Sequence, residues 1–291
     1  MKALSTLTAP GRLEPAEECS HCRFRVAEYT EQDLQRSLLH LDRWFSEFTY
    51  GLTEAQLNTP PSGTHGDAFC YETASIAELT QWCREQLQPT APASESRLVM
   101  ANDLHLAMHT LSAIARRRAE LGLGSQAGSG TVSSIHTSGG GVPKSSIPQC
   151  RVGYRGLEGD RQNSRVHHGR VWQAVSLWSS EVIAALQAEG HPIGPGRAGE
   201  NLTIEGLSWS DLLLGTQLRI GGPEGVLLEL TDWATPCTKI SNLFADGDST
   251  RIDAHRHRGW SRAYAKVLVD GEIRLGDSVL IEDEIDDSSR P

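Results

Sequence analysis

The sequence lacks the long apolar stretch that a membrane anchor or a secretion signal requires. No uninterrupted apolar run in the 291 residues approaches the ~20 residues that a helix needs to cross a bilayer. The N-terminal stretch MKALSTLTAPGRLEP also lacks the apolar centre of a signal peptide. We therefore predict a cytoplasmic protein without a membrane anchor.

A surplus of positive charge is missing as well. Lysine and arginine number 27 against 37 aspartates and glutamates, which gives a formal net charge of −10. Nucleic acids and anionic membranes repel such a chain, although one local basic pocket for a small anion remains compatible with it. We expect small molecules and proteins as partners, with no nucleic acid and no membrane.

The cysteines are too few and too scattered for a disulfide scaffold, because six are spread over the whole chain. Free thiols are expected. Cys19 and Cys22 have CxxC spacing, but a structural zinc site needs four ligands and no second cysteine pair follows. His21 and His65 are only loose candidates for the missing ligands. We interpret residues 1–24 as a flexible N-terminal arm.

Helical spacing dominates residues 25–122. From Thr30 onward, leucines and phenylalanines recur every three or four residues, which predicts one amphipathic helix that ends near Gly51. Thr30 and Asp33 have the spacing of a capping box at its start. Further helices are predicted over Ser75 to Leu87 and through the segment HLAMHTLSAIARRRAELG. The pattern predicts an all-α bundle.

The last of these helices is similar to the last helix of a DinB-type four-helix bundle. His105 and His109 lie one turn apart on one face, as in metal-binding helices. The resemblance implies a third histidine from the preceding helix, where this chain has Gln81 and Trp82 instead. His40 is the remaining substitute, yet histidines beside an apolar stripe are more often packing or surface residues. We therefore predict a bundle without a metal.

The character of the chain changes after the bundle. Residues 123–131 are rich in glycine and serine and predict a linker. Residues 132–283 contain seven short strand-like runs and one helix, from Ser179 to Glu189, with Ser179 as its cap. Short strands that close on themselves favour a β-barrel. The acidic tail, residues 284–291, is predicted to be disordered. The predicted class is α+β, with an all-α bundle followed by a mostly β barrel.

Five phrases in the second half carry unusual residues, namely VPKS, GLEGDR, VHHGRVWQAV, PGRAGENLTIEGL and TPCTK. In this order and spacing they resemble a MOSC domain, the module related to the C-terminal part of molybdenum cofactor sulfurases, over about residues 131–283. The resemblance implies a barrel that holds the molybdenum–pterin cofactor. It also implies that Cys237 binds the metal or, alternatively, carries a persulfide. Pyridoxal phosphate binding is a further association of the family.

The matching phrases contain the candidate site residues. A phosphate and a pterin edge require cations and polar partners, so the cofactor-binding candidates are Lys144, Arg161, Arg170, Arg197, Glu200, Asn201 and Lys239. The catalytic candidates are Cys237, Asp160 and His168. Each cation alone is more often a solvated surface residue than a ligand contact, and a free cysteine equally fits a small buried hydrophobe. Because a buried carboxylate must be paired, Glu200 is expected to meet an arginine or backbone amides.

The later segment HRHRGWSRAYAK is interpreted as a loop that faces a substrate or a partner, or as a simple basic hairpin.

Three functions remain open for the whole chain. The first is a molybdenum-dependent oxidoreductase that reduces N-hydroxylated or related small substrates. Its electrons would come from a separate donor protein, because no flavin, haem or iron–sulfur motif is present. The second is a sulfur carrier with a persulfide on Cys237. The third is a non-catalytic binding or sensor module. A Cys/His hydrolase ranks last because TPCTK lacks a protease-like elbow.

Overall fold

The structure is a computed structural model that describes residues 12–14, 17–19, 23–59, 74–87, 96–163 and 170–282. The chain divides into two compact units, Met1–Gly124 and Ser125–Pro291. The first is called the helical unit below and the second the barrel unit. The predicted acidic tail, residues 284–291, lies outside the described residues.

The helical unit contains five helices in its described part. They are α1 (Glu31–Leu38), α2 (Leu41–Phe48), α3 (Glu54–Leu57), α4 (Ile76–Gln86) and α5 (Ser96–Glu120). The predicted capping box of α1 is confirmed, since the Asp33 amide donates to Thr30 Oγ1 at 3.2 Å and the Thr30 amide donates to Asp33 Oδ2 at 3.1 Å. Among the described residues no helix is both long and apolar enough to cross a membrane.

The single helix predicted from Thr30 to beyond Phe48 is wrong. The chain stops at Leu38 and starts again at Leu41, and Leu39 at the break is 78% exposed. The restart lets α2 bury Trp44 and Phe45 in the core of the unit. Apolar spacing cannot reveal such a break, because two short helices in sequence preserve the same period as one long helix.

The two later helices of the unit are confirmed. Ser75 caps α4 through a capping box with Glu78. Helix α5 packs against α1, α2 and α4 and buries Leu104, Leu111 and Ile114. The core of the unit is therefore built on α5, the helix that also carries both histidines of the HLAMH segment.

The barrel unit contains eleven strands, one α-helix and several short 3₁₀ helices in its described part. In chain order the strands and the α-helix are β1 (Ser129–Thr137), β2 (Ser145–Ile147), β3 (Gln149–Gly153), β4 (Gly156–Leu157), β5 (Val175–Ser179), α6 (Ser180–Ala188), β6 (Leu202–Glu205), β7 (Gln217–Ile220), β8 (Val226–Trp233), β9 (Ala263–Val269), β10 (Gly271–Arg274) and β11 (Ser278–Glu282).

Seven of these strands close into a barrel in the order β11-β7-β8-β9-β5-β6-β1, and the pairing of β1 with β11 completes the ring. Strand β2 extends the sheet from β1, and β3, β4 and β10 form a separate three-stranded sheet. Closure leaves the ring of strands without an open edge. The predicted α+β class with a β-barrel is confirmed.

Helix α6 explains the one parallel pair of the barrel. Strands β5 and β6 run parallel, and a parallel pair needs a crossover connection, which α6 supplies. Ser179 caps α6 as predicted, since its Oγ accepts from the amides of Glu181 and Val182 at 3.1 and 3.2 Å. The segment between α6 and β6 ends with residues 196–201, which directly precede β6.

Part of the predicted linker, residues 123–131, belongs to the barrel. Strand β1 begins at Ser129, and the Leu213 amide donates to Ser125 Oγ at 3.0 Å. Gly130 allows close packing of the backbone and does not act as a flexible hinge, because a Cβ there would lie 2.5 Å from the carbonyl oxygen of Glu205.

Candidate functional site

A group of buried polar side chains lies where several barrel strands begin or end. His136 is the penultimate residue of β1, Asn201 directly precedes β6, and Arg262 directly precedes β9. The antiparallel pairing of β1 with β6 brings the end of one strand beside the start of the other. This group, called the polar cluster below, consists of His136, Lys144, Asp160, Glu200, Asn201 and Arg262.

Asp160 is the centre of its hydrogen bonds. Its carboxylate accepts from Lys144 Nζ at 2.6 Å, from the Ser138 amide at 2.9 Å and from Asn201 Nδ2 at 3.0 Å. The side chains of Lys144 and Asp160 are only 10% and 2% exposed. Burial lowers the pKa of Lys144, and the Asp160 carboxylate opposes that shift. The two groups therefore form a buried ion pair with further amide support.

Asn201 ties three strands together. Its Oδ1 accepts from the Ser176 amide at 3.1 Å, and its Nδ2 donates to the His136 carbonyl at 3.1 Å as well as to Asp160. Its backbone also bonds to Ser176 and His136, each at 2.7 Å. The side chain thus positions β1, β5 and β6 relative to the Asp160 carboxylate, and the residue is a positioning residue.

Glu200 is fully buried, with none of its surface exposed. Its Oε1 accepts from the Gly196 amide, as predicted for a buried carboxylate, whereas Oε2 has no hydrogen-bond partner in the described part of the chain. Burial raises the pKa of Glu200, and its backbone hydrogen bonds, Arg262 and Lys144 oppose the rise. The carboxylate is held in place but keeps one oxygen available.

Two members of the polar cluster were not predicted. Arg262 is buried and donates from Nη1 to the Ala198 carbonyl at 2.5 Å, while its Nε has no hydrogen-bond partner among the described residues. His136 is buried, and its Nδ1 likewise lacks a partner there. Burial and the charge of Lys144 lower the pKa of His136. The segment HRHRGWSRAYAK pointed to the region of Arg262, whereas no feature of the sequence singled out His136.

Cys237 lies at a junction between the barrel and a short helix. Strand β8 ends at Trp233, and Cys237 is the N-cap of a 3₁₀ helix over Thr238–Leu243. Cys237 itself is half-buried, and Lys239, the second residue of this helix, is exposed. Cys237 is thus a partly exposed residue that follows closely after a buried strand.

Tyr264 is influenced electrostatically by both Cys237 and Arg262 of the polar cluster. Burial raises the pKa of its phenol, the charges of Asp232 and Cys237 act in the same direction, and those of Arg262 and Arg170 oppose the rise. All four groups are therefore within electrostatic range of the phenol. Asp232 is also the cross-strand partner of Tyr264, so both side chains lie on one face of the sheet.

The predicted site residues divide into those that the structure brings together and those that it does not. Lys144, Asp160, Glu200 and Asn201 meet in the polar cluster, and Arg170 and Cys237 share with Arg262 an electrostatic influence on Tyr264.

The remaining predicted residues lie elsewhere. Arg161, Arg197 and Lys239 are exposed, and Arg197 donates to the Pro192 carbonyl at 2.8 Å rather than to the cluster. His168 lies outside the described residues. These three cations correspond to the alternative of a solvated surface residue.

A groove of about 520 Å³ lies in the helical unit. It runs between α2 and α4 and is lined by residues such as Phe45, Thr49, Ala77 and Arg84. Its lining contains neither cysteine nor histidine. The lining of the groove thus offers no thiol and no imidazole, and we place the candidate site in the barrel unit.

Comparison with known proteins identifies the barrel. Residues 164–280 match the family model of the MOSC domain. The chain contains a MOSC domain. The matched range includes Glu200, Cys237 and Arg262, whereas Lys144 and Asp160 precede it. MOSC domains occur in proteins associated with the molybdenum cofactor.

The MOSC domain also has relatives of known sequence or structure. The Uncharacterized protein YflK from Bacillus subtilis (strain 168) is 25% identical over 138 residues, which are 47% of this chain and 60% of that protein. This chain thus spans about three fifths of that relative's length. The solved YUAD protein from Bacillus subtilis is 15% identical with a TM-score of 0.45, over 54% of this chain and 97% of that one. YiiM from Geobacillus stearothermophilus is 21% identical with a TM-score of 0.42, over 53% and 75% of the two chains.

Proposed function

We propose that the MOSC domain binds the molybdenum cofactor and that Cys237 is the thiolate ligand of the metal. The observation that carries this proposal is the half-buried thiol of Cys237 within electrostatic range of Tyr264, on which Arg170 and Arg262 also act. A soft thiolate suits a metal that is already surrounded by sulfur. Neighbouring cations suit an anionic cofactor.

The polar cluster fits the rest of such a cofactor. Buried polar atoms are normally paired within the protein, yet Glu200 Oε2, His136 Nδ1 and Arg262 Nε lack hydrogen-bond partners among the described residues. One acceptor, one imidazole nitrogen and one cationic donor match the mixed donors and acceptors of a pterin edge. Lys144 and Arg262 add positive charge for a phosphate. The residues present therefore fit the cofactor.

The bound cofactor would supply two-electron oxidation and reduction, and the chain supplies position and electrostatics. Cys237 would hold the metal at the end of β8. Arg170 and Arg262 would orient anionic groups beside it. Because burial raises the pKa of Tyr264, its phenol keeps its proton at neutral pH and can donate a hydrogen bond to a bound ligand.

For the reaction we propose the reduction of N-hydroxylated or related small substrates. Replacing an N–OH group by N–H consumes two electrons and two protons and releases water. The electrons would come from a separate donor protein, since the sequence contains no flavin, haem or iron–sulfur motif. The protons would come from solvent.

The first experiment measures molybdenum by mass spectrometry and released pterin by fluorescence on the full chain, purified from a molybdenum-replete host. Wild type is compared with Cys237→Ser and with Cys150→Ala, a buried cysteine of β3 outside the polar cluster. We expect molybdenum and pterin near one per chain in wild type and in Cys150→Ala, and at least about tenfold less metal in Cys237→Ser.

Equal molybdenum in wild type and Cys237→Ser would contradict the ligand assignment. If all three proteins lack metal and pterin, the cofactor proposal fails, and a persulfide on Cys237 would then support the sulfur-carrier alternative. The oxidoreductase part is checked separately, by supplying reduced methyl viologen and an N-hydroxylated substrate to the loaded protein and measuring the amine formed. A loaded protein that reduces no such substrate would refute that part alone.

A further inference from the structure

The helical unit contains a second group of metal-binding side chains. The ligand atoms of Cys19, His105 and His109 all lie within 4.8 Å of one another. Cys19 Sγ is 3.0 Å from His109 Nε2, and the rings of His105 and His109 are 4.6 Å apart in an edge-on arrangement. One thiol and two imidazoles therefore converge on a single point.

Helix α5 positions the two histidines. His105 and His109 are one turn apart, so their side chains lie one above the other on the same face. They are only 3% and 5% exposed. A pair at this spacing on a buried helix face is the arrangement by which helices offer two ligands to one metal ion.

Contacts of Glu18, Phe24 and Arg25 hold the cysteine beside these histidines. The Cys19 amide donates to the Phe24 carbonyl at 2.9 Å, and Glu18 and Arg25 pair across it both as a β-bridge and as an ion pair at 2.8 Å. Phe24 is completely buried and stacks on His105 at 6.1 Å. These contacts of the described residues place Cys19 against α5.

One nitrogen in this group lacks a partner. His105 Nε2 is buried and has no hydrogen-bond partner among the described residues, and burying such a nitrogen unpaired is unfavourable. Cys19 and His109 are the other members of the same group. A cation bound among the three would satisfy this nitrogen.

We propose that Cys19, His105 and His109 bind one zinc ion. Thiolate sulfur and imidazole nitrogen are the donors that zinc prefers, and in a tetrahedral zinc site such donors lie about 3.3–3.6 Å apart, which is compatible with three ligand atoms that all lie within 4.8 Å of one another. On binding, the ion replaces the thiol proton of Cys19, which passes to solvent. A water molecule would complete the tetrahedral coordination. The third protein ligand thus comes from the N-terminal segment, and α4 supplies none of the three.

The test uses the full chain after removal of metal with a chelator, and Zn²⁺ and Co²⁺ salts as probes. Zinc affinity is measured by competition with a chromophoric chelator for wild type, Cys19→Ser, His105→Ala and His109→Ala. We expect one tight site per chain in wild type and at least about a hundredfold weaker binding in each variant, because a direct ligand is lost. His40→Ala, an exposed histidine of the same unit, is the matched control and should bind as wild type does.

Cobalt absorption separates ligation from a general loss of structure. Wild type should show a thiolate-to-cobalt charge-transfer band that Cys19→His lacks while it still binds one metal ion. Circular dichroism of the metal-free variants shows whether they are folded. Zinc binding that is unchanged in His105→Ala and Cys19→Ser, or wild type without a site, would overturn the proposal. So would a thiolate band that persists in Cys19→His.

Discussion

Removal of the Asp160 carboxylate is the most direct test of how the polar cluster is held together. In Asp160→Ala the Lys144 ammonium stays buried, with 10% of its side chain exposed, and the Ser138 amide and Asn201 Nδ2 lose their acceptor. Breaking a buried ion pair from one side lowers the free energy of unfolding by about 3–5 kcal/mol. For a unit of this size that corresponds to a fall of about 6–20 °C in the unfolding temperature.

The opposite change should be milder. In Lys144→Met the carboxylate keeps the amide of Ser138 and the side chain of Asn201, so the loss is that of one charged hydrogen bond, about 1.5–3 kcal/mol. Adding Lys144→Met to Asp160→Ala should then cost nothing or restore stability, because it removes the isolated ammonium.

The loss in Asp160→Ala should also depend on pH. Burial lowers the pKa of Lys144, and without its partner the folded state binds this proton less tightly than the unfolded chain does. Stability rises with pH wherever the unfolded state binds more protons. The deficit of Asp160→Ala should therefore be largest at pH 7 and shrink as pH rises toward the lysine pKa of the unfolded chain, about 10.4.

Urea unfolding followed by tryptophan fluorescence measures these changes. The chain has seven tryptophans, and all but Trp44 and Trp82 belong to the barrel unit, so the signal reports mainly on that unit. Glu224→Ala, an exposed carboxylate, serves as the control and should stay within about 0.5 kcal/mol of wild type. If Asp160→Ala costs less than Lys144→Met, or if the double variant loses the sum of both, the ion pair does not organise the cluster as we describe.

Two further predictions concern neighbouring residues. In Gly196→Ala, a Cβ at φ +75° would lie 2.7 Å from His136 Cδ2, so we expect urea unfolding to show a free energy of unfolding about 2–3 kcal/mol lower. The control Gly190→Ala, at φ +90° with nothing within 4 Å, should lower it by only about 1 kcal/mol. Equal losses in the two variants would show that the contact with His136 is unimportant. In Glu200→Gln, the amide oxygen can still accept from Gly196 while the charge is removed. Because burial raises the pKa of Glu200, its contribution to stability is full below the ordinary value of 4.5 and is lost as pH rises through the folded value. The variant should therefore gain on wild type from pH 4.5 upward, and a gain confined to lower pH would reverse the argument.

Local signals in the sequence predicted much of the fold because they act within a few residues. The caps at Thr30, Ser75 and Ser179 each accept from an amide two or three positions away, and all are present. The barrel strands followed from short apolar runs bounded by turns. The break between α1 and α2 did not, since it depends on how α2 packs in three dimensions.

The site was predictable only where a family phrase covered it. Lys144, Asp160 and Asn201 lie in such phrases, whereas His136 and Arg262 enter the cluster through strand pairings that join distant parts of the chain. The same limit applied to Cys19, which meets His109 across 90 positions. Its CxxC spacing was visible, but no pattern in the sequence indicated which helix face it would join.

The two cysteines that carry our proposals differ in the charge of their surroundings, and that difference separates the proposals experimentally. Cys237 shares the neighbourhood of Tyr264 with the cations Arg170 and Arg262, which suits an anionic cofactor. Cys19 faces two imidazoles, which are neutral ligands for a small divalent cation. Cys237→Ser should therefore lose molybdenum and keep zinc, and Cys19→Ser should do the opposite. A variant that loses both metals would indicate damage to the fold rather than loss of a ligand, and would leave neither assignment supported by that variant.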